Sequence, residues 1–266
     1  MFNETPESAW QLRFGTTPAD LPDLGAFLNH RSVRKFRDEP VSEALVSALI
    51  GAAQSAATSS NLGLWSVISV QDPVRRQQLT ALTGDQGQVK TAPWFFAFLA
   101  DQNRLWRASQ AVGESAAGLD FNEFYTMAVI DAALAAERMV CAAESLGLGT
   151  CYIGALRNDP AAVRELLGLP PRTVGVFGLC LGWPDESAPA KIKPRLSQES
   201  VWFRETYDAD VSAEEYDRRM SVFYEAEGMK GDVTWSMRSA RRVDGNHMTG
   251  REVLKDFLTE QKLDLR

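Results

Sequence analysis

Imidazole is scarce in this chain: His30 and His247 are the only two histidines among 266 residues. A histidine-built zinc centre or a nucleophile-histidine triad has almost nothing to draw on. Thiols are nearly as few. Cys141, Cys151 and Cys180 lie inside apolar runs with no CxxC pair, so they read as small buried hydrophobes of a reducing compartment, and no metal is expected. Surplus positive charge is missing as well. Lys and Arg total 28 against 35 Asp and Glu, a net charge of -7, which disfavours a broad nucleic-acid or anionic-membrane surface and suits a cytoplasmic protein. The start, MFNETPESAWQLRF, has no basic stretch leading into an apolar core, so no signal peptide is expected. The apolar stretch around 124–146 carries Asp131, Glu137, Arg138 and Glu144, which a membrane span would bury at considerable cost. If the chain is an enzyme, a bound group rather than its own side chains carries the chemistry.

What is present is a globular composition, 45% hydrophobic, with material for one or two domains. Residues 1–22 read as an approach segment, 23–197 as the core with an excursion or lid at 103–122, and 198–266 as a C-terminal extension. Leu24, Phe27 and Leu28 begin a helical pattern that runs into HRSVRKF. Ser42 is placed to cap a helix bearing Leu45, Val46, Leu49 and Ile50 on one face. WSVISV (65–70), PWFFAFLA (93–100), CYIGAL and VGVFGLCLGW (174–183) have strand length and strand composition, and a small helix over AAVRELLGL separates the last two. The alanine-rich stretch from Phe124 to Leu146, apolar nearly all round and closed by Gly147, predicts a central helix packed on several sides. AEEYDRRMSVFYEAEG and REVLKDFLTEQKL read as amphipathic helices that wrap the main body or a partner, since so short an arm rarely makes its own core. The expected class is α+β.

Four segments could carry chemistry. His30-Arg31-Ser32-Val33-Arg34-Lys35 concentrates cationic donors and a hydroxyl, which suits a phosphate and equally suits an exposed basic helix end. Lys193-Pro194-Arg195 is a second basic pair, with chance surface placement as its plain alternative. Thr58-Ser59-Ser60-Asn61 offers hydroxyls and an amide to the edge of a heteroaromatic ring, or simply a polar turn. GLGTCYIGAL has the spacing GxGxxxxG and follows a helix, so it is not a dinucleotide fingerprint; Gly154 there would allow backbone amides to approach a ligand.

Taken in order, HRSVRKFRDEPVS, the Ser-Ser-Asn turn, AESLGLGTCYIGALRN, FGLCLGWP and KPRL resemble the motif series of the nitroreductase-like FMN-dependent oxidoreductases, in particular the larger branch of oxygen-insensitive NADPH nitroreductases and flavin reductases. The resemblance runs from about residue 25 onward. It implies a nitroreductase-like fold, with a central mixed or antiparallel sheet flanked by helices and a C-terminal helical arm wrapping the partner subunit of a homodimer. It implies FMN, with His30, Arg31, Ser32 and Arg34 on its phosphate, ribityl chain and pyrimidine edge. Thr58, Ser59, Ser60 and Asn61 would touch flavin from the partner subunit, and Gln86 would be a flavin-contacting glutamine. Tyr152, Ile153, Gly154 and Ala155 would lie against the ring near N5, and Lys193 and Arg195 would form a second phosphate clamp. No protein nucleophile is implied; Arg34 would tune flavin charge. NADPH or NADH would donate hydride, and a small oxidised aromatic (a nitro compound, quinone or free flavin) would receive electrons in a ping-pong cycle. Trp106, Phe121, Phe124 and Tyr125 would wall the acceptor slot, or belong to the core.

Two departures matter. The loop ahead of Thr234-Trp235, basic in that branch, here reads Glu225-Ala226-Glu227-Gly228-Met229-Lys230-Gly231-Asp232, which disfavours an extra phosphate and points to NADH use or weak discrimination. Arg238, Arg241 and Arg251 are near in sequence and could compensate. Leu62-Gly63-Leu64-Trp65 carries glycine where many relatives are polar, which would alter the pocket floor. A non-catalytic flavin-binding or sensory protein, and a substrate-specific reductive dehalogenase or dehydrogenase of the same superfamily, are the alternatives.

Overall fold

The computed structural model describes residues 4–18, 20–231, 233–263 and 266. Parts of the approach segment and of the C-terminal extension, and Asp232 of the acidic loop, lie outside the described residues. In chain order the elements are α1 (Pro6–Phe14), α2 (Glu43–Gln54), β1 (Trp65–Ser69), α3 (Pro73–Leu82), α4 (Gly87–Thr91), β2 (Trp94–Asp101), α5 (Asn103–Val112), α6 (Asn122–Ser145), β3 (Gly149–Ile153), α7 (Pro160–Leu167), β4 (Thr173–Gly182), α8 (Glu214–Ala226), α9 (Trp235–Arg242) and α10 (Leu254–Glu260). They fall into two units. One holds Ser32–Ala190 and Gly250–Arg266; the other holds the chain up to Arg31 and Lys191–Thr249.

The first unit is built on a sheet ordered β1-β2-β4-β3. Among the described residues the three strand pairings are antiparallel, with a parallel isolated bridge between Ser32 and Thr150. Both faces are covered, which is why the central strands read as unbroken apolar runs. Alternation sorts the side chains. Phe96, Phe98, Leu179 and Leu181 pack with Val46, Leu49 and Ala53 of α2 and with Ala135, Ala136, Met139, Val140 and Ala143 of α6. Phe95, Ala97, Leu99, Cys151, Ile153 and Cys180 face Leu79, Val89 and Val163 instead. A third cluster joins Leu64, Ala128, Ala132 and Val174 to Phe257 and Leu258 of α10 and to Leu263 beyond it.

Local chemistry sets the element ends. Ser42 caps α2 by accepting from the Leu45 N–H at 3.2 Å, and Gly147, at φ 81°, turns the chain out of α6. The excursion at 103–122 is helical, as α5 and a 3-10 turn at Ala117–Asp120. The helical pattern expected from Leu24 into HRSVRKF is corrected. A short 3-10 turn, Gly25–Asn29, gives way to extended chain. Val33, 1% exposed, donates its N–H to the Thr150 carbonyl at 2.8 Å, so pairing with β3 and burial of a β-branched side chain override the local helical spacing.

In the second unit, α1 begins at a Thr5 cap followed by Pro6 and ends at Gly15, φ 75°, a start and stop signal inside the segment expected to be only an approach. α9 is capped by Thr234, whose side chain accepts from the Met237 N–H. Tyr216 and Met220 of α8 are buried, and the Tyr216 hydroxyl donates to the Pro194 carbonyl at 3.2 Å.

Gly178 shows how tightly the sheet packs. A Cβ there would lie 2.7 Å from Cε2 of Phe95 and closer still to its Cζ. Gly178→Ala should therefore destabilise the chain by about 1–3 kcal/mol, read as a lowered midpoint in chemical denaturation at unchanged m-value.

Candidate cofactor site

The first unit brings two sequence-remote motifs, the Ser32–Arg34 segment and the Tyr152–Ala155 end of β3, together at one sheet edge. Because the Thr150 carbonyl meets Val33 on the outer edge of β3, ladder alternation directs the main-chain groups of Tyr152, two residues on, to that same edge and away from β4. Among the described residues no strand pairs with this edge beyond the Ser32 bridge, and Gly154 begins a 3-10 turn through Ala155. Ile153 and Ala155 are buried while Tyr152 is 37% exposed. Arg34 is exposed, with only a long 3.4 Å contact to the Ser32 carbonyl. Gly149 permits the arrangement: a Cβ there would come within 2.6 Å of Val33 Cγ2.

The Tyr152 hydroxyl donates to Glu137 of α6 at 3.1 Å, and its ring meets Phe177 edge-on at 5.3 Å. Burial first, then the Glu137 carboxylate, push this phenol well above the usual tyrosine range. Cys141 contacts the same carboxylate, and its thiol is pushed up by burial and then by Glu137.

Thr58 leads into a tight turn, Ser59–Asn61. Ser60 and Asn61 adopt φ of 49° and 57°, and Gly63 59°. The Ser59 and Leu64 amides both donate to Asp131. Leu64 is fully buried, so it belongs to the core and not to a pocket floor. Gln86 donates to the Thr83 carbonyl at 2.9 Å and accepts from Gln88 at 2.8 Å at the start of α4. Of the expected acceptor walls, Phe124 and Tyr125 pack on the third core cluster, whereas Trp106 and Phe121 are exposed.

The second unit gathers the two basic motifs around a residue that sequence reading missed. Buried Arg13 donates to the carbonyls of Leu28 at 2.8 Å and His30 at 2.6 Å, with a longer reach of 3.5 Å to that of Lys193. Its own carbonyl accepts from the Arg195 N–H at 2.8 Å and from Arg219 at 2.7 Å. Segments more than 160 positions apart are thereby pinned together by main-chain bonds, leaving the Lys193 and Arg195 side chains exposed. Arg31 differs. It is 5% exposed, its guanidinium bonded to the Glu4 carboxylate and to Asn29, so the donors a phosphate would need are already engaged. The Arg31 bond is also what holds the Glu4 carboxyl below the usual range.

The acidic loop carries more positive charge than its sequence suggests. Lys191 pairs with Glu227 at 2.8 Å, and Arg238 lies over the Tyr224 ring, 5.1 Å from its centroid, and reaches Met229. Arg251 is committed elsewhere, to Asn158 at 2.9 Å. Among the described residues no helix is long and apolar enough to cross a membrane, and no group of His, Cys, Asp and Glu could hold a metal ion.

An open strand edge beside a hydroxyl and a guanidinium, and a pinned pair of cations, are donor sets for a phosphorylated organic cofactor. The family is decided by comparison. Residues 28–183 match the nitroreductase family, and residues 193–266 match the nitroreductase family C-terminal domain. The chain belongs to the nitroreductase family. It is 38% identical to an FMN reductase (NADPH) of Bacillus subtilis, over 80% of this chain and 88% of that one. It is 39% identical to an oxygen-insensitive NADPH nitroreductase of Salmonella typhimurium, over 81% and 88%. The solved NfrA1 nitroreductase of B. subtilis superposes with a TM-score of 0.82 at 35% identity, covering 88% of this chain and 96% of that one.

The environment of Tyr152 gives a pH test. Its contribution to stability is complete below the ordinary tyrosine value of about 10 and is lost as pH rises from there toward the higher folded value, because the unfolded chain ionises first. Thermal midpoints between pH 8 and 11 should fall less steeply for Tyr152→Phe than for the wild type.

Proposed function

We propose that the chain is an FMN-dependent NAD(P)H oxidoreductase that reduces small oxidised aromatics, nitro compounds, quinones or free flavin, acting as a homodimer in the cytoplasm. The observation that carries this reading is the convergence of the His30 and Lys193–Arg195 segments on Arg13, supported by relatives named as FMN reductase and nitroreductase.

FMN, when bound, supplies the two-electron chemistry. The chain's part is binding and orientation. Lys193 and Arg195, with backbones fixed and head groups exposed, hold the phosphate; His30 and Ser32 add donors, and Arg31 shapes the segment through its pair with Glu4. Tyr152, Ile153, Gly154 and Ala155 offer main-chain groups to the ring edge, Thr58, Ser59, Ser60 and Asn61 approach from the partner subunit, and Gln86 caps that side. Arg34 places an exposed cation where it would favour the negative charge gained on reduction. Donor and acceptor use one open face in turn, a ping-pong order, with Trp106 and Phe121 as apolar walls for a flat acceptor.

Dimerisation is supported by α6, whose outward face exposes Ile130 (47%) and Leu134 (43%) in a helix otherwise packed on the core.

Purified protein should be yellow, with the absorption bands of bound FMN; a colourless protein that takes up no added FMN overturns the reading. Arg195→Ala should weaken FMN retention about tenfold or more without lowering secondary structure in circular dichroism.

For the donor, the groove of about 860 Å³ lined by Ser221, Glu225, Met229, Lys230 and Thr234 is the candidate recognition surface. With Lys191 on Glu227 and Arg238 over Tyr224, the local field is closer to balance than the loop sequence alone implies. NADPH and NADH should give kcat/KM values within about tenfold of each other, less than about 1.4 kcal/mol of discrimination. A large NADPH preference in steady-state kinetics refutes this.

A further inference from the structure

Asp131 has no exposed surface and lies on a helix otherwise lined with alanine and apolar side chains. A buried carboxylate is costly unless hydrogen bonds replace its water. Here the replacements are main-chain amides: Oδ1 accepts from Ser59 at 2.7 Å and Oδ2 from Leu64 at 3.1 Å. Amides five positions apart can reach one carboxylate only if the chain between them folds back on itself. It does so through left-handed backbone at Ser60, Asn61 and Gly63, a conformation unfavourable for the two residues that carry a Cβ.

The opposite side of the same turn is held by Arg104 of α5. Its guanidinium donates to the Gly63 carbonyl at 2.7 Å, the Trp65 carbonyl at 3.3 Å and the Ser66 hydroxyl at 2.8 Å. Asp101 steadies that guanidinium at 3.7 Å. Amides are thus gripped from inside and carbonyls from outside. Ser60 and Asn61 are exposed, and their side chains make no hydrogen bond within the described chain. A turn strained at two exposed polar residues and braced from behind is built to present them.

We propose that Asp131, seconded by Arg104, is a positioning residue for the flavin: it acts through the Ser59–Leu64 backbone, setting Ser60 and Asn61 in the pose that meets FMN. This rests on the flavin reading above. The test is FMN titration of stripped protein, followed by flavin fluorescence, for wild type, Asp131→Asn, Arg104→Ala and Leu79→Ala. The last removes a fully buried side chain from the opposite face of the sheet and serves as a destabilised control.

Asparagine offers only one oxygen to the two amides, so Asp131→Asn should raise the FMN dissociation constant about tenfold, Arg104→Ala about threefold, and Leu79→Ala less than twofold. Asp131→Asn should cost less affinity in a Ser60→Gly background than in the wild type, since glycine takes the left-handed conformation freely; a purely structural role for Asp131 gives no such recovery. If Asp131→Asn does not fold, Arg104→Ala decides, its side chain being 56% exposed. Unchanged affinity in the Asp131 and Arg104 variants, equal weakening in the Leu79 control, or absent recovery overturns the inference while yellow wild-type protein leaves the flavin reading intact. Wild type that binds no FMN removes both.

Discussion

The close approach of α6 to the sheet is the constraint on which the core's chemistry depends. Ala132, Ala135, Ala136 and Ala143 are all fully buried, and side chains ending at Cβ let a helix backbone come near enough for polar groups on neighbouring turns to act at short range. One turn delivers Asp131 to two amides; the next but one delivers Glu137 to the Tyr152 hydroxyl. The helix then ends at Gly147 and feeds β3 after one residue, so the register of that strand, and with it the edge it presents to Val33, is set by where α6 stops. A larger residue at any of these alanines would displace the helix and all three contacts together.

Much of this was legible in the sequence because the relevant signals are local. The strand-length apolar runs of β2 and β4, the Ser42 cap and the Gly147 stop each depend on a few neighbouring residues, and the structure realises them. The 30–36 segment was misread for the complementary reason. Its conformation is decided by Thr150, more than a hundred residues away. The buried charges that organise the candidate segments, one in each unit, were likewise visible only as oddities. Asp131 registered as a charge that a membrane span could not carry, and Arg13 lay in a segment read as a mere approach. An isolated charge in an apolar or alanine-rich stretch is the signal that could have found them, since such a group persists only when main-chain partners repay its desolvation.

The acidic loop teaches the same lesson in electrostatics. Summing charges along 225–232 leaves Lys230 as the one cation, but Lys191 and Arg238 arrive from other elements and change the field. Local sequence reports the charge a loop owns, and packing decides the charge it feels.

The return of the chain at Gly250 bears on how the molecule is made. Phe257, Leu258 and Leu263 complete the third core cluster. Arg172 closes over them, its N–H on the Gln261 carbonyl and its guanidinium on the Lys262 carbonyl and Asp120. Residues 191–249, which belong to the other unit, are synthesised in between. A nascent chain paused anywhere before residue 263 therefore carries an unfinished apolar surface around Leu64 and Val174, so vectorial synthesis cannot yield a finished core one unit at a time.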